Sequence, residues 1–578
     1  MLPPLLQISH LSIHFSGQQG ETPAVTDLSL QIKRGEIVAL VGESGSGKSV
    51  TALSLLQLLP SPPAIYTSGE LLFSPTGGPA VDLLKINADR MQQVRGNQIA
   101  MIFQEPMSSL NPVFSCGSQV MEAIRLHKDI TRSRAKQEAM ELFERMQLPD
   151  PAAVFHRYPH QLSGGQKQRV MIAMAMSCQP SLLICDEPTT ALDVTVQKTI
   201  LRLIKDLQQK QGMGVLFITH DLGVVAEIAD RALVMYKGRM VEEGPVKEIF
   251  SAPRHPYTRG LLLCRPALYR KGQRLPLAGD MRSAPHPAET APPYLLEPPA
   301  STAGLPPEKP LLNSPRNPVF SVRGLSVSFP SRKGLLGRPA RYTRAVDDIS
   351  FDIYEGETLG LVGESGCGKT TLGRALLQLV RPGAGKILYR GKDMASCSPG
   401  ALKHLRRDIQ LIFQDPFSSL NPRMTVGAAI EEPMKVHRII TSAGERRKKV
   451  RELLEKVGLT PEQANRYPHE FSGGQRQRIV IARALAVNPS FLVCDESVSA
   501  LDVSVQAQVL NLLNDLKTAY GFTILFISHD LSVVRYFCDR ICVMNRGRME
   551  EMGEAEDICL RPASAYTRVL LDAILRGL

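Results

Sequence analysis

Short apolar runs, separated by longer amphipathic stretches, recur along the chain. The runs at 36–41 and 215–219 are only a few residues long and nearly continuous in their apolar character. Such runs are typical of strands that helices cover on both faces of a sheet. Stretches with helical spacing lie between the runs, for example at 133–145 and 196–208. The pattern therefore predicts an α/β fold.

The pattern occurs twice. A lysine, a glutamine, a glutamate and a histidine of the first half each return in the second half, at offsets between 309 and 321 positions. The pairs are Lys48 and Lys369, Gln104 and Gln414, Glu187 and Glu496, and His220 and His529. A repeat of this length is a whole domain, so the sequence predicts two homologous domains.

A proline-rich stretch separates the two copies. From about 265 to 317 the chain has no apolar period, and it contains the string PHPAETAPPYLLEPPASTAGLPPEKPLLNSP. This composition is typical of a stiff, extended linker. The predicted organisation is a first domain at 1–264, a linker at 265–317 and a second domain at 318–578.

Each copy carries a phosphate-binding loop. The strings GESGSGKS and GESGCGKT match the P-loop pattern, and each stands between an apolar run and a helical run. The glycines allow main-chain N–H groups to surround phosphates, the lysine reaches the outer phosphates, and the last hydroxyl can bind Mg²⁺. The predicted phosphate-binding residues are Gly42, Ser44, Gly45, Gly47, Lys48 and Ser49, and Gly363, Ser365, Gly366, Gly368, Lys369 and Thr370.

Two further motifs follow in each copy. The turn SGGQ begins a helical run, where main-chain N–H groups favour an anion. An apolar strand then ends in two carboxylates, which are well placed to hold a metal ion and orient a water; helix caps and surface charge are the structural alternatives. The residues are Ser163, Gly164, Gly165, Gln166, Asp186 and Glu187, and Ser472, Gly473, Gly474, Gln475, Asp495 and Glu496.

Together these motifs resemble the ATP-binding-cassette (ABC) ATPases, in both copies. The resemblance implies that each domain has a RecA-like α/β core, an antiparallel β subdomain and a helical subdomain that carries the SGGQ turn. It also implies that the two cassettes pair within the chain, so that each ATP lies between one P-loop and the other domain's SGGQ turn. Lys48 would then share a site with 472–475, and Lys369 with 163–166.

The same resemblance assigns roles around the nucleotide. The glutamates orient or deprotonate the attacking water, and the histidines contact the γ-phosphate. Phe15 and Phe329 look like rings that stack on adenine, with ordinary core positions as the alternative. The implied Mg²⁺-binding residues are Ser49, Gln104, Asp186, Thr370, Gln414 and Asp495, and the implied catalytic residues are Glu187, His220, Glu496 and His529.

Less universal strings indicate the subfamily. GESGSGKS, IFQEPMSSLNPVF, RYPHQLSGGQ, HDLGVVAEIADR and the HPYTR at 255–259 resemble the ATPases of dipeptide, oligopeptide and nickel importers. That resemblance implies an ATPase subunit that drives uptake of short peptides or related solutes, of dipeptide, oligopeptide or glutathione type. Its expected partners are two transmembrane permeases and, indirectly, an extracytoplasmic solute-binding protein. Peripheral attachment to the cytoplasmic face of the inner membrane is the expected location.

The net charge of the chain leaves one alternative function open. The formal net charge of +12 suits nucleic acid, an anionic membrane surface or many bound phosphates. A soluble tandem-cassette ATPase that acts on ribosomes or nucleic acid is therefore the alternative. Relatives of that kind join their cassettes by a charged helix or carry zinc-binding cysteines, whereas this linker is proline-rich and the ten cysteines are scattered. No nucleic-acid partner is expected, and the sequence leaves the solute open.

Overall fold

A computed structural model describes residues 3–17, 20–104, 109–190, 192–278, 318–333, 339–499 and 501–573. The chain divides into two compact units. The first comprises Met1–Leu262 with Asp502–Ser504 and Asp572–Leu578, and the second comprises Leu263–Leu501 with Val505–Leu571. Among the described residues, no helix has both the length and the apolar character needed to cross a membrane.

The first unit alternates strands and helices. Its strands are β1 (Leu6–Gly17), β2 (Gly20–Ile32), β3 (Ile37–Val41), β4 (Ala64–Phe73), β5 (Val81–Asp82), β6 (Ile99–Ile102), β7 (Leu182–Asp186), β8 (Gly214–Thr219), β9 (Arg231–Tyr236) and β10 (Arg239–Pro245). Its helices are α1 (Lys48–Leu55), α2 (Ala88–Val94), α3 (Cys116–His127), α4 (Arg132–Arg145), α5 (Pro151–His156), α6 (Gly164–Ala175), α7 (Val194–Gln211), α8 (Leu222–Ile228), α9 (Val246–Ser251) and α10 (Pro256–Leu263).

Two sheets organise this unit. The central sheet has the strand order β10-β9-β3-β8-β7-β6, with β10 antiparallel to β9 and the other neighbours parallel. An antiparallel sheet has the order β2-β1-β4-β5. Because β3, β7 and β8 are parallel neighbours, their carboxyl ends share one edge of the central sheet. Ligands of α/β proteins bind at that edge.

The central strands are covered on both faces, as their apolar runs predict. Val38, Leu40 and Ile184 pack with the antiparallel sheet and α1 in one core cluster. The alternate residues Leu183 and Phe217 pack with the helices from α3 to α8 in another. The period of two along a strand directs neighbouring side chains to opposite faces. The α/β fold predicted from the sequence is confirmed.

The second unit repeats the architecture. Its strands are β11 (Pro318–Lys333), β12 (Pro339–Tyr354), β13 (Thr358–Val362), β14 (Ala384–Tyr389), β15 (Lys392–Asp393), β16 (Ile409–Ile412), β17 (Phe491–Asp495), β18 (Thr523–Ile527), β19 (Arg540–Asn545) and β20 (Arg548–Glu554). Its helices are α11 (Lys369–Leu376), α12 (Pro399–Asp408), α13 (Pro416–Ser419), α14 (Val426–Val436), α15 (Ala443–Lys456), α16 (Gly473–Leu485), α17 (Val503–Tyr520), α18 (Leu531–Phe537), α19 (Ala555–Leu560) and α20 (Ala565–Ala573). The sheets have the orders β16-β17-β18-β13-β19-β20 and β12-β11-β14-β15.

The start of the predicted linker is part of the second unit. Residues 265–278 include a short 3₁₀ helix at Pro266–Leu268, and Leu275 and Ala278 are buried. The proline-rich composition of the longer stretch predicts an extended chain without buried apolar side chains. These fourteen positions therefore differ from the predicted extended linker. The rest of the predicted linker, 279–317, lies outside the described residues, and the domain boundaries stay a prediction.

Candidate active site

The shared edge of the central sheet brings the predicted residues together. In the first unit, the P-loop follows β3, Asp186 ends β7 with Glu187 next to it, and His220 follows β8. In the second unit, the corresponding positions follow β13, β17 and β18. Residues 137 positions apart in the first unit and 125 in the second therefore meet because parallel strands end side by side.

Glycines shape both P-loops for steric reasons. Gly42 has a φ of 153°, and a Cβ there would lie 2.3 Å from the main-chain oxygen of Met235. Its counterpart Gly363 has a φ of 151°, and a Cβ would lie 2.2 Å from the oxygen of Met544. Main-chain atoms cannot move aside as a side chain can. These loops accordingly accept no larger residue at their first position.

The P-loop lysines are buried beneath the loops. Lys48 is 5 % exposed, and its Nζ donates to the oxygens of Gly42 and Glu43 at 2.7 and 2.9 Å. Lys369 makes the same two bonds, to Gly363 and Glu364. Burial lowers the pKa of Lys48 because the charged form loses its hydration. A phosphate at the loop would restore a partner to that charge.

A hydroxyl and a buried aspartate meet next to each lysine. Ser49 Oγ donates to Asp186 Oδ1 at 3.0 Å, and Thr370 Oγ1 donates to Asp495 Oδ1 at the same distance. Burial raises the pKa of Asp186 to about 6 and also raises that of Asp495. A carboxylate whose charge is penalised by burial is stabilised by a nearby cation. This oxygen pair fits the hard ligand set that Mg²⁺ prefers.

Glu187, the predicted catalytic glutamate of the first unit, has three side-chain partners. Gln104 Nε2 and Thr190 Oγ1 each donate to Glu187 Oε2 at 3.0 Å, and His220 Nδ1 lies 3.1 Å from Oε1. Burial alone would raise the pKa of Glu187, but the hydrogen bond and charge of His220 outweigh it and hold that pKa at about 2. Burial likewise opposes the charge of His220, yet the glutamate raises the histidine pKa. The two groups form a coupled ion pair.

The second unit holds the same arrangement with slightly different spacing. Gln414 Nε2 donates to Glu496 Oε2 at 2.7 Å, and His529 Nδ1 lies 3.5 Å from the same oxygen. Lys369 Nζ stands 4.0 Å from Glu496 Oε1. Burial alone would raise the pKa of Glu496, but the hydrogen bond and charge of His529, together with the charge of Lys369, outweigh it and lower that pKa. Both copies therefore hold the glutamate ionised at neutral pH.

The main chain is strained at both glutamates. Glu187 has a φ of 48° and Glu496 a φ of 46°, in the left-handed region that residues with a Cβ seldom adopt. Each carries a main-chain hydrogen bond to the adjacent strand, from Glu187 N to Ile218 O and from Glu496 N to Ile527 O, both 2.9 Å long. Strain of this kind collects where a side chain must point in one direction. The apolar run before each glutamate gives no sign of it.

The SGGQ turns are closed by reciprocal caps. Gln166 N donates to Ser163 Oγ, and Ser163 N donates to Gln166 Oε1, at 3.3 and 3.1 Å. Ser472 and Gln475 repeat both bonds at the start of α16. The glutamine side chain thus fixes the turn itself. The first N–H groups of the helix remain available to an anion.

The two predicted adenine-stacking rings have different surroundings. Phe329 lies in β11 and is 42 % exposed, so its face is accessible. Phe15 lies in β1 and packs partly against the core cluster of the antiparallel sheet. The stacking role therefore stays a prediction for both.

Sequence reasoning missed one pair of contacts. The hydroxyl of Tyr257, from the HPYTR string, accepts a hydrogen bond from Glu43 N in the P-loop at 3.1 Å. Tyr566 makes the same contact with Glu364 N at 3.3 Å. Tyr257 is 4 % exposed and packs on Tyr236, with ring centroids 4.3 Å apart. The only sequence signal is the string itself, whose tyrosine and threonine recur in the second copy.

We expect Tyr257→Phe and Tyr566→Phe to weaken nucleotide binding rather than turnover. Each removes an acceptor and leaves a partly buried P-loop N–H unpaired, which costs about 1–3 kcal/mol. The KM for ATP should rise roughly five- to tenfold or more at the affected site with kcat nearly constant. Steady-state hydrolysis and fluorescent-nucleotide titration measure both. Tyr66→Phe is the matched control, because the Tyr66 hydroxyl is buried and has no hydrogen-bond partner in the described structure; equal KM changes in all three variants would contradict the assignment.

Comparison with known proteins identifies the family of the chain. A family model described as ABC transporter matches 25–190 and 346–499. A second, described as oligopeptide/dipeptide transporter, C-terminal region, matches 241–291 and 550–577. The glutathione import ATP-binding protein GsiA of Escherichia coli K12 is 51 % identical over 571 residues, covering 99 % of this chain and 89 % of the relative. The protein of the same name from Pectobacterium atrosepticum is 50 % identical over 578 residues, covering 99 % and 90 %.

The chain therefore belongs to the family of ABC transporter ATP-binding proteins, with two cassettes in one polypeptide. Both cassettes are followed by the C-terminal region found in oligopeptide and dipeptide transporters. It is an ATPase coupled to transport, and it binds ATP. The predicted family and the predicted enzyme class are confirmed.

Proposed function

We propose that this protein energises an importer of short peptides or related solutes, with glutathione as the first solute to test. The observation that carries the proposal is the presence of two complete copies of the site. Each copy contains the P-loop lysine, the aspartate with its hydroxyl partner, and the glutamate held by a glutamine and a histidine. The near full-length likeness to import ATP-binding proteins supports the importer over a ribosome- or DNA-acting ATPase.

The geometry supports the following roles for single residues. Mg²⁺ would be held by Ser49, Asp186 and Gln104 in the first copy, and by the corresponding Thr370, Asp495 and Gln414 in the second. The ion would supply charge neutralisation for phosphates at the loop. The glutamates Glu187 and Glu496 orient the attacking water. The histidines His220 and His529 leave their glutamates and contact the γ-phosphate instead. In the family's arrangement each site is completed by the SGGQ turn of the other cassette.

A surface beside the second copy's glutamine suits a permease. A cavity of about 370 Å³ lies next to β16 and α14, and its lining includes the exposed side chains of Leu379, Phe413 and Val436. Exposed apolar surface around a recess is typical of protein-interaction sites. The first copy also exposes apolar side chains after its glutamine strand: Phe103, Val113, Phe114 and Leu126. We propose one permease subunit for each cassette, which places the protein at the inner membrane's cytoplasmic face.

One contact ties this surface to the SGGQ turn. Phe417, three residues after Gln414, is 62 % exposed and lies under the Arg476 guanidinium, 3.8 Å from ring centroid to Cζ. Arg476 directly follows the turn and is itself 8 % exposed, and its Nε donates to Pro468 O at 2.7 Å. A permease that displaced Phe417 would therefore act on the residue next to the turn.

The test is affinity purification of the tagged full-length protein from its own cells in mild detergent, at low and high salt. Recovery of two multi-span membrane proteins at both salts is expected. Val436→Asp should lose the membrane protein bound at the second cassette while keeping basal ATPase activity. Leu560→Asp is the matched control, since Leu560 on α19 is 60 % exposed and Val436 is 51 % exposed. Recovery of ribosomes or DNA without membrane proteins would refute the proposal. If membrane proteins are recovered, comparing the uptake of labelled glutathione with that of a labelled dipeptide identifies the solute.

A further inference from the structure

Residues 265–278, which we call the strap, are fixed to the second unit through their main chain. Asn511, in α17, is 4 % exposed, and its Oδ1 accepts from Leu275 N at 3.0 Å. Its Nδ2 donates to Leu275 O at 2.9 Å. One amide side chain thus satisfies both main-chain groups of a residue that is itself 2 % exposed. A buried polar group with both bonds made is stable, whereas loss of either bond leaves an unpaired group.

Further contacts flank this pair. Tyr536, in α18, is fully buried, and its hydroxyl donates to Gln273 O at 2.7 Å. Arg274 Nη1 lies 3.0 Å from both carboxylate oxygens of Asp515, and Lys271 pairs with Asp539. The ion pair of Arg274 is exposed and contributes little. The buried Asn511 and Tyr536 therefore provide the specific recognition.

The first unit has the wrong chemistry at the same positions. With the offset of 309, Asn511 corresponds to Arg202 in α7, and Tyr536 corresponds to Glu227 in α8. A guanidinium only donates, so Arg202 could not accept the N–H of Leu275. An ionised carboxylate only accepts, so Glu227 could not donate to the carbonyl of Gln273. Neither residue could therefore make the hydrogen bond that its counterpart in the second unit donates to or accepts from the strap.

The position of the strap in the chain indicates what its binding to the second unit does. It begins immediately after α10 (Pro256–Leu263), the helix whose Tyr257 bonds to the first unit's P-loop. After residue 278, the chain next enters a described element at β11, which is again in the second unit. Both ends of the proline-rich stretch 279–317 thus belong to the same unit. The strap is thus the described part of the chain that leads from the first unit into the second.

We infer that the strap binds the second cassette specifically and so attaches it to the first cassette. The strap would not bind a second copy of the first cassette. The proline-rich stretch, in contrast, is not required to keep the two cassettes together. Anchoring by the strap leaves almost no free chain between α10 and the second unit. The two cassettes of one chain then have a high effective concentration for each other, so pairing between different chains is disfavoured.

The test cuts the proline-rich stretch in the full-length protein. A recognition sequence for a site-specific protease replaces 290–296, a tag is placed at the N-terminus, and cleavage is carried out without nucleotide in EDTA. In the native sequence the second fragment should remain bound to the tagged fragment. Separation of the native fragments on cleavage would overturn the inference.

Two variants and one control sharpen the result. Asn511→Leu on the second cassette and Leu275→Asp on the strap should each cause loss of the second fragment after cleavage. Leu275→Asp leaves the second cassette's own residues unchanged, so it remains informative if Asn511→Leu fails to fold. Arg202→Asn should leave the fragments together. Retention of the second fragment by the Leu275→Asp protein would also overturn the inference, whereas permease recovery by the uncut protein tests the proposed function separately.

Discussion

The double variant Glu187→Gln and Glu496→Gln should lose ATP hydrolysis by about 10²–10⁴-fold while still binding ATP. Glutamine has nearly the same shape, and it can still bond to Gln104 or Gln414, but it cannot take a proton from water. The P-loop lysines donate their hydrogen bonds to the loop main chain and to neither glutamate. Turnover should therefore fall with little change in affinity. The release of phosphate and the binding of a fluorescent nucleotide measure the two quantities.

The low pKa of Glu187 sharpens this expectation. With a pKa of about 2, the carboxylate is ionised but is a weak base as long as His220 is bonded to it. Transfer of His220 to the γ-phosphate would remove the group that lowers the glutamate's pKa and so increase its basicity. His220→Ala and His529→Ala should accordingly slow hydrolysis without the loss of nucleotide binding. If the glutamate double variant hydrolyses ATP at a rate close to that of the native protein, the roles proposed for the glutamates and histidines are contradicted.

The single variants determine whether the two sites depend on each other. Independent sites would leave about half the native rate after one Glu→Gln change, whereas obligatory alternation would leave almost none. Glu144→Gln is the control, because Glu144 is exposed on α4, away from the sheet edge. The copies differ in detail, since His529 is 3.5 Å from its glutamate and His220 is 3.1 Å from its own.

Local motifs made the sheet edge predictable. A strand, a glycine-rich loop and a helix are contiguous in the sequence, so the P-loops could be located from about eight residues each. The carboxylate pairs likewise follow directly from the apolar runs that become β7 and β17. These features depend on hydrophobic period and on turn chemistry, which a short window of sequence contains.

Contacts made by distant segments were not predictable in the same way. Tyr257 lies 214 positions from Glu43, and Leu275 lies 236 positions from Asn511. No period connects such pairs, because their meeting depends on how the whole sheet orders its strands. The strap illustrates the difference most clearly. Its composition merges into the proline-rich stretch, yet two buried polar side chains in α17 and α18 hold it in place.

Gly474→Ala should disable the second SGGQ turn, although alanine is the better helix former. Gly474 lies in the first turn of α16, where alanine is intrinsically favoured by about 1 kcal/mol. A Cβ at this position, however, would stand 2.2 Å from Val505 Cγ1. Overpacking of this kind costs about 1–3 kcal/mol or displaces the turn. In the cassette pairing proposed above, this turn completes the site of Lys48, so we expect hydrolysis there to fall about tenfold or more.

The neighbouring residues supply matched controls that separate a clash from a general effect of substitution. A Cβ at Gly473 meets nothing within 4 Å, so Gly473→Ala should keep the turn's stability. Val505→Ala removes the opposing methyl group and should restore activity to Gly474→Ala. The first copy allows the same cycle with Gly165 and Val196, where the contact would be 2.6 Å. Thermal unfolding and ATPase rates measured across both cycles should show rescue by the valine variants, and a Gly474→Ala protein as active as Gly473→Ala would show that the turn tolerates the extra methyl group.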